Sequence, residues 1–370
     1  MESEPLHTTT TGSVGQSYKI AGGHFFSEPI MVNVPYGATL KSGTSMSEMF
    51  VDTLGGQFIF IDRDRCRVTS FSTEGEIKWQ IACGVEGPDA SPGNIDNVAF
   101  AEHSGRLYVN DWTAKTIFVY DRNGAKVGTI RHGINFSDMA VLPNDHLVLF
   151  TDIYYNRSVT GHPDRHHSFI YIDGTGEIVR LAGSGPLPPV RETFLDYHEF
   201  FWNEGTLYFN QQFTDTTFRV EPDTIFPAYT TGLSAAETTQ ALFDEADVAD
   251  PVTEIVVNDY AYVSQAVNSG NYTYRIYTPG INTSRPQMSI ADPSGNTLFD
   301  GRFVQSGAFT LTTPTKLTNG YFIVKMFKEK FEELQKLADQ PSVPVEYYNP
   351  DPNTDIDGMV LIAFKPSSEK

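Results

Sequence analysis

Apolar residues along this chain come in short runs broken by clusters of Gly, Asp, Asn and Thr. Runs of that length, rich in Phe, Tyr, Val and Ile, predict β-strands. The runs also repeat. Residues 58–81 read FIFIDRDRCRVTSFSTEGEIKWQI and residues 107–130 read LYVNDWTAKTIFVYDRNGAKVGTI, and they align without a gap at an offset of 49. Asp62 falls on Asp111, Phe71 on Tyr120, Gly75 on Gly124 and Ile81 on Ile130. Each unit holds an apolar strand ending in Asp, a short connection, an alternating strand, a Gly turn and a third strand.

The pattern recurs at Phe169-Ile-Tyr-Ile-Asp173-Gly-Thr-Gly176 and, degraded, at Leu207-Tyr-Phe-Asn210 with Thr217-Phe-Arg-Val220. One more apolar strand precedes each unit, at Met49–Val51, Asn97–Phe100, Met139–Leu142 and Phe200–Trp202, which makes four antiparallel strands per repeat. Ser72-Thr73-Glu74-Gly75, Asp121-Arg122-Asn123-Gly124 and Asp173-Gly174-Thr175-Gly176 suit type I turns with glycine in the left-handed position. A four-stranded sheet that is apolar on both faces cannot hide both alone. Stacking such sheets around an axis hides them, so a repeat of this kind predicts a β-propeller.

The spacing gives six blades, at about 46–82, 95–131, 136–182, 197–231, 253–305 and 314–366. Blade five is read from Glu254–Val257, Tyr260–Val263, Tyr272–Tyr277 and a fourth strand near Met288 or Phe299. Blade six lacks an outer strand, which Ile30-Met-Val-Asn-Val34 is free to supply, closing the ring between the two ends of the chain. The fold class expected is therefore all-β: a six-bladed propeller closed by an N-terminal strand, with short helical insertions. Lys328–Leu337, with Phe331, Leu334 and Leu337 at helical spacing, and Ser234–Val248 are those insertions, placed on the rim. Residues 1–28 read as a polar tether, and 29–370 as one domain.

Composition narrows the partners. With 46 acidic against 26 basic residues, the formal charge of −20 repels nucleic acid and anionic membrane surfaces. No apolar run reaches the roughly 18 residues of a membrane span. The two cysteines cannot build a metal framework. They flank the outer hairpin of blade one. A two-residue turn at Glu74-Gly75 sets Cys66 opposite Cys83, whereas a three-residue turn sets Ala82 there, so a cross-strand disulfide is one of two outcomes. If formed, it points to an oxidising compartment.

Three further stretches carry a resemblance. They are Gly84-Val-Glu-Gly-Pro88 followed by the blade-two strands, Thr217-Phe-Arg-Val-Glu-Pro-Asp-Thr-Ile-Phe-Pro227-Ala-Tyr229, and the ending Asp357-Gly-Met-Val-Leu-Ile-Ala-Phe364. From about residue 30 onward the chain resembles the six-bladed propellers of Bacteroidota-type cell envelopes, which are similar to NHL-repeat propellers. The resemblance implies export to the periplasm or cell surface and a binding role of unassigned ligand. A lipobox cysteine of the kind many members carry is not present near residue 1.

No Gly-x-Ser-x-Gly elbow, His-Glu-x-x-His pair or phosphate-cradling loop stands where catalysis would need it. The cluster His162-Pro-Asp164-Arg-His166-His167 offers imidazole and carboxylate to a divalent ion, but it reads first as a solvated loop tip. The better candidates follow from propeller geometry. Loops joining strands two and three share one face of the disc with the links between blades. That face should present Arg63, Trp112, Asp152, Tyr154, Tyr155 and Gln211, with His132, His198 and Glu199 from the links. Aromatic rings beside amides and carboxylates suit a glycan or a peptide. Packing between blades is the competing role of Trp112 in particular. The recurrent Asp62, Asp111 and Asp152 are expected to cap loops within their own blades. The leading reading is a non-catalytic binding propeller without a cofactor, whose partner is a small ligand, a glycan, a peptide or another envelope protein. The alternatives are a propeller lyase, lactonase or hydrolase using His132, Asp152, His198 and Glu199, and a docking scaffold.

Overall fold

The computed structural model describes residues 20–21, 25–34, 48–63, 65–85, 90–151, 156–161, 166–185, 200–210, 216–230, 262–278, 287–301, 303–306, 309–312, 314, 316–338 and 358–367. Six four-stranded antiparallel sheets form a ring, and the fold is a six-bladed β-propeller. Blade one holds strands Glu48–Asp52, Gln57–Asp62, Arg67–Ser72 and Ile77–Ala82. Blade two spans residues 97–131, blade three 138–185, blade four 200–230 and blade five 262–301. Blade six takes Lys316–Thr318, Tyr321–Phe327 and Met359–Phe364 from the end of the chain and Ile30–Val34 from its beginning. Ile30 faces Ala363 and Val34 faces Met359 across that seam.

The reason for the ring is visible in the apolar clusters, most of which lie between two blades. Ile59, Ile61 and Val68 of blade one pack against Val98, Leu107 and Val109 of blade two. The alternate residues Phe58, Phe60 and Phe71 point the other way, against Val32, Tyr321, Ile323 and Leu361 of blade six. Blade two in turn sends Tyr108, Ile117 and Val119 toward blade three. Period-2 alternation thus assigns each strand to two neighbours at once. The innermost strands of blades one to three are buried throughout, while the outermost strand of blade one is mostly exposed.

Blade five departs from the regular plan. Its strands are Tyr262–Ser269, Tyr272–Thr278, Gln287–Ala291 and Thr297–Gly301. Tyr262 and Val263 therefore open the first strand instead of closing the second, Met288 lies in the third strand and Phe299 in the fourth. The segment Glu254–Val257 is outside the described residues, as is Ser234–Val248. This blade's first strand also stands back from the axis, so that the first strands of blades four and six touch each other. Residues 25–28, read from sequence as the end of a polar tether, are part of the fold. Phe25 and Phe26 are buried among Tyr274, Phe322 and Phe364, and the Phe25 carbonyl accepts the Tyr274 hydroxyl at 2.7 Å. Ile20–Ala21 adds in parallel to a small sheet formed by Phe303–Ser306 and Phe309–Thr312. The expected helix is present at Lys328–Ala338, where Leu334 and Phe331 join the core shared by blades five and six.

Turn glycines and aspartates fix the outer hairpins. Asp121 and Asp173 each accept two backbone N–H groups of their own turn through one carboxylate oxygen. Gly176 has φ +92°, and a Cβ there would lie 2.0 Å from the Arg131 carbonyl on the outer strand of blade two. Gly75 meets the Asn33 carbonyl of blade six in the same way. Hence the turn of one blade rests on the backbone of the previous one. A second latch joins blades one and two. Arg122 Nε donates to Asp52 Oδ2 at 2.8 Å, and the Arg122 carbonyl accepts Trp79 Nε1 at 2.9 Å and Gln57 Nε2 at 3.0 Å.

The cysteines are joined, with Cα atoms 5.5 Å apart. Phe71 faces Ile77 next to the turn, but a bulge between Ser70 and Phe71 shifts the register so that Arg67 faces Ala82. The bulge carries Cys66 opposite Cys83 in spite of the longer turn.

Two measurements check this architecture. Gly176→Ala should destabilise the ring by about 1–3 kcal/mol, because it forces a strained φ and a backbone clash. Urea unfolding monitored by circular dichroism reads the loss, and an unchanged midpoint would contradict the contact. Replacing both cysteines by serine should cost about 3 kcal/mol for a closed loop of this size, read the same way.

Candidate functional site

The propeller axis has two mouths, and the residues around them differ. On the loop face, candidates Arg63, Trp112 and His132 are linked across blades one to three. Arg63 pairs with the buried Glu48 of the innermost strand. Its charge also favours the ionised form of Asp96, whose carboxyl is nevertheless pushed up, chiefly by burial. Asp96 Oδ2 accepts the Trp112 backbone N–H at 2.6 Å. The Lys115 ammonium lies 3.8 Å from the centre of the Trp112 ring, and burial pushes its pKa down. One face of the indole is therefore covered by a cation.

His132 follows from the same loop, since its N–H donates to the Lys115 carbonyl at 3.0 Å. The ring is buried. Asn97 Nδ2 donates to the Ser137 carbonyl, Asn110 Nδ2 donates to Asn97 Oδ1 at 3.3 Å, and Asn110 Oδ1 lies 3.1 Å from His132 Nε2. His132 Nδ1 lies 3.1 Å from the Ile134 carbonyl and 3.4 Å from the Ile134 N–H, so each ring nitrogen has a neighbour able to hold it in the neutral form. Burial pushes the imidazole down to about 4, with Lys115 adding to the effect. His132 is thus a neutral structural bridge between strands and the next blade link. Asn135 and Asn156 are likewise spent on each other: Asn156 Oδ1 accepts the Asn135 N–H at 2.7 Å and Asn156 Nδ2 donates to its carbonyl at 2.9 Å.

Asp62 and Asp111 cap their loops. Asp62 Oδ1 accepts the Arg65 N–H at 3.1 Å, and Asp111 accepts the N–H groups of Ala114 at 2.9 Å and Gly93 at 2.7 Å. The candidates Asp152, Tyr154, Tyr155, His162, Asp164, His198, Glu199 and Gln211 lie outside the described residues. His166 is described only as the first backbone position of strand His166–Ile172. Among the described residues no group of three or more His, Cys, Asp or Glu side chains is placed to hold a metal.

The opposite mouth holds what the loop-face reading missed. There the hairpins joining first and second strands converge on a cavity of about 450 Å³. Blade two brings Ala101, Glu102 and His103, and blade four brings Trp202, Asn203, Glu204 and Gly205. Pro143, Ser269, Asn319, Lys365 and Pro366 complete the wall. Below it the axis narrows to about 40 Å³, lined by Phe50, Phe100, Met139 and Phe200, with Trp202 and Asn319 common to both spaces. Glu204 and Asn319 both sit at positive φ, at 48° and 53°, in tight two-residue turns with Gly205 and Gly320. Sequence would have marked these turns as Glu-Gly and Asn-Gly hairpins and nothing more.

The polar groups of this wall are held by hydroxyls and neighbours. Glu204 Oε1 accepts the Ser269 hydroxyl at 2.8 Å, and Glu102 Oε1 accepts the Thr53 hydroxyl. His103 Nε2 lies 3.2 Å from Asp145 Oδ1, and the Lys365 ammonium lies 4.7 Å from the centre of the Tyr321 ring. Asn319 Nδ2 is shielded from solvent and has no hydrogen-bond partner.

No protein-family model and no curated protein sequence matches the chain. Solved structures do. A "putative exported protein" from Bacteroides fragilis superposes with a TM-score of 0.62 at 11% identity, covering 94% of this chain and 97% of that one. A member of the DUF4221 family from Bacteroides vulgatus gives 0.51 at 12% identity, covering 92% and 97%. Virginiamycin B lyase from Staphylococcus aureus fits more loosely, at 0.44 and 10% identity over 91% and 99%, too loosely to carry its chemistry across. These likenesses agree with the propeller fold. No helix among the described residues is long and apolar enough to cross a membrane.

The His132 bridge has a measurable signature. Its folded pKa lies below the unfolded value, so the unfolded state binds the proton first. The stability it contributes is present above about pH 6.5 and is lost as pH falls toward 4, by about 3 kcal/mol at most. Urea midpoints of the wild type should fall across that window more steeply than those of His132→Gln. Parallel curves would show that the imidazole is not buried neutral.

Proposed function

We propose that this chain is a non-catalytic binding propeller of the cell envelope, which takes its ligand in the axial cavity on the hairpin face. The observation that carries this reading is the cavity itself, whose size falls within the range of small-molecule sites. Its wall sets one indole, two prolines and an alanine beside seven polar side chains, a more polar lining than most small-molecule sites and one suited to a polar ligand. On the loop face, Trp112 serves as a seat for Lys115 of its own loop, in keeping with a packing role.

Two observations support an exported location. The Cys66–Cys83 disulfide is of the kind kept in oxidising compartments. The Bacteroides fragilis neighbour, similar over nearly the whole chain, bears the description of an exported protein.

The test uses the whole chain on a glycan array and a peptide array, with fluorescently labelled wild type and two variants. Trp202→Ala should lose any specific signal while keeping the circular dichroism of the ring. Trp112→Ala should keep it. The reverse pattern would move the site to the loop face, and an unchanged signal in Trp202→Ala would remove the cavity from consideration.

A further inference from the structure

We infer that the occupant of the hairpin-face cavity is the end of a neutral oligosaccharide, about the size of a disaccharide. This rests on the reading that the cavity is a binding site, and it adds the class of ligand.

The wall shows which donors its carboxylates accept. Glu102 and Glu204 each already take a hydroxyl, from Thr53 and Ser269, through one oxygen. Each carboxylate has a second oxygen with further lone pairs, and two hydroxyls on one pyranose are donors of the same kind. A carboxylate accepting from a hydroxyl is a charge-assisted hydrogen bond, stronger than one between neutral groups. Trp202 supplies the flat apolar surface that the CH face of a sugar ring needs. Asn319 lines the wall, and its Nδ2 is shielded from solvent and lacks a partner. An unsatisfied donor is costly, and a ligand acceptor would relieve that cost.

Two carboxylates, Glu102 and Glu204, against one ammonium argue against an anionic occupant, and Lys365, seated over the Tyr321 ring, offsets part of their pull on a cation. A peptide of equal size presents amide donors and acceptors along its length. An extended peptide pairs best with a free backbone edge, whereas this wall offers side-chain carboxylates and amides beside one indole, which suit the hydroxyls and the apolar face of a sugar ring.

Calorimetry with a panel of neutral disaccharides tests this, using glucose, galactose, mannose and N-acetylglucosamine pairs in α and β linkage. A parallel panel holds neutral, acidic and basic tripeptides. At least one disaccharide should bind one to one with Kd between about 10 μM and 1 mM. Glu204→Gln, an isosteric change on an exposed turn, should weaken that binding about tenfold or more. Trp202→Phe should weaken it less than Trp202→Ala, and Trp112→Phe should leave it unchanged. Binding of tripeptides at this mouth without any sugar response would overturn the ligand class and leave the binding reading standing. Silence from both panels would overturn both.

Discussion

The structure depends on one constraint: every blade is apolar on two faces and can be covered only by two neighbours. Ile59 and Phe60 are adjacent in sequence and buried in different clusters, one toward blade two and one toward blade six. A linear stack would leave two sheets with a bare face, at roughly 25 cal/mol for each Å² left in water. Closure of the ring removes both. It is therefore no accident that the closing blade draws strands from both ends of the chain, with Val32 and Leu361 fully buried side by side in one cluster. Polar contacts then set the angle between blades. Gly75 against Asn33, Gly176 against Arg131 and Arg122 against Asp52 each lock a turn to the preceding or neighbouring sheet.

Much of this was legible because repetition compounds a weak signal. One strand–turn–strand segment is ambiguous, but Asp62 on Asp111 and Gly75 on Gly124 at a constant offset imply equal environments, and only a ring gives these. Blade five was misread for the converse reason. Its strands are longer, Tyr262–Ser269 and Tyr272–Thr278, and it stands back from the axis, so its pattern does not match the repeat. The cysteine pairing turned on a bulge between Ser70 and Phe71, a one-residue event that apolar alternation does not report.

The site was less legible than the fold. Residue type drew attention to Trp112 and His132, yet buried propeller loops use the same side chains as fasteners. The Trp112 ring carries Lys115, and His132 bridges Asn110 and Ile134. The cavity wall instead comes from Glu-Gly and Asn-Gly turns, whose sequence is explained already by backbone conformation. A turn that satisfies its own geometry gives no hint that its side chains meet those of four other turns. Only the ring brings Glu102, Glu204 and Asn319 together, from positions more than a hundred residues apart along the chain.

That dependence ties the site to ring closure. Asn319, Gly320, Lys365 and Pro366 all belong to the blade that closes the ring or to its exit. Pro366 bridges to Phe26, and Lys365 exchanges hydrogen bonds with Ser27, so both ends of the chain meet beside the cavity. Blades one to four can present their hairpins to solvent without blade six, but they cannot enclose a space. The cavity therefore needs blade six in place, and blade six is held by the seam at which Lys365 and Pro366 meet Ser27 and Phe26. A ligand there binds the closed ring and not the open one, so occupancy must favour closure by the free energy of binding. The same interaction that completes the hydrophobic core thus also completes the site.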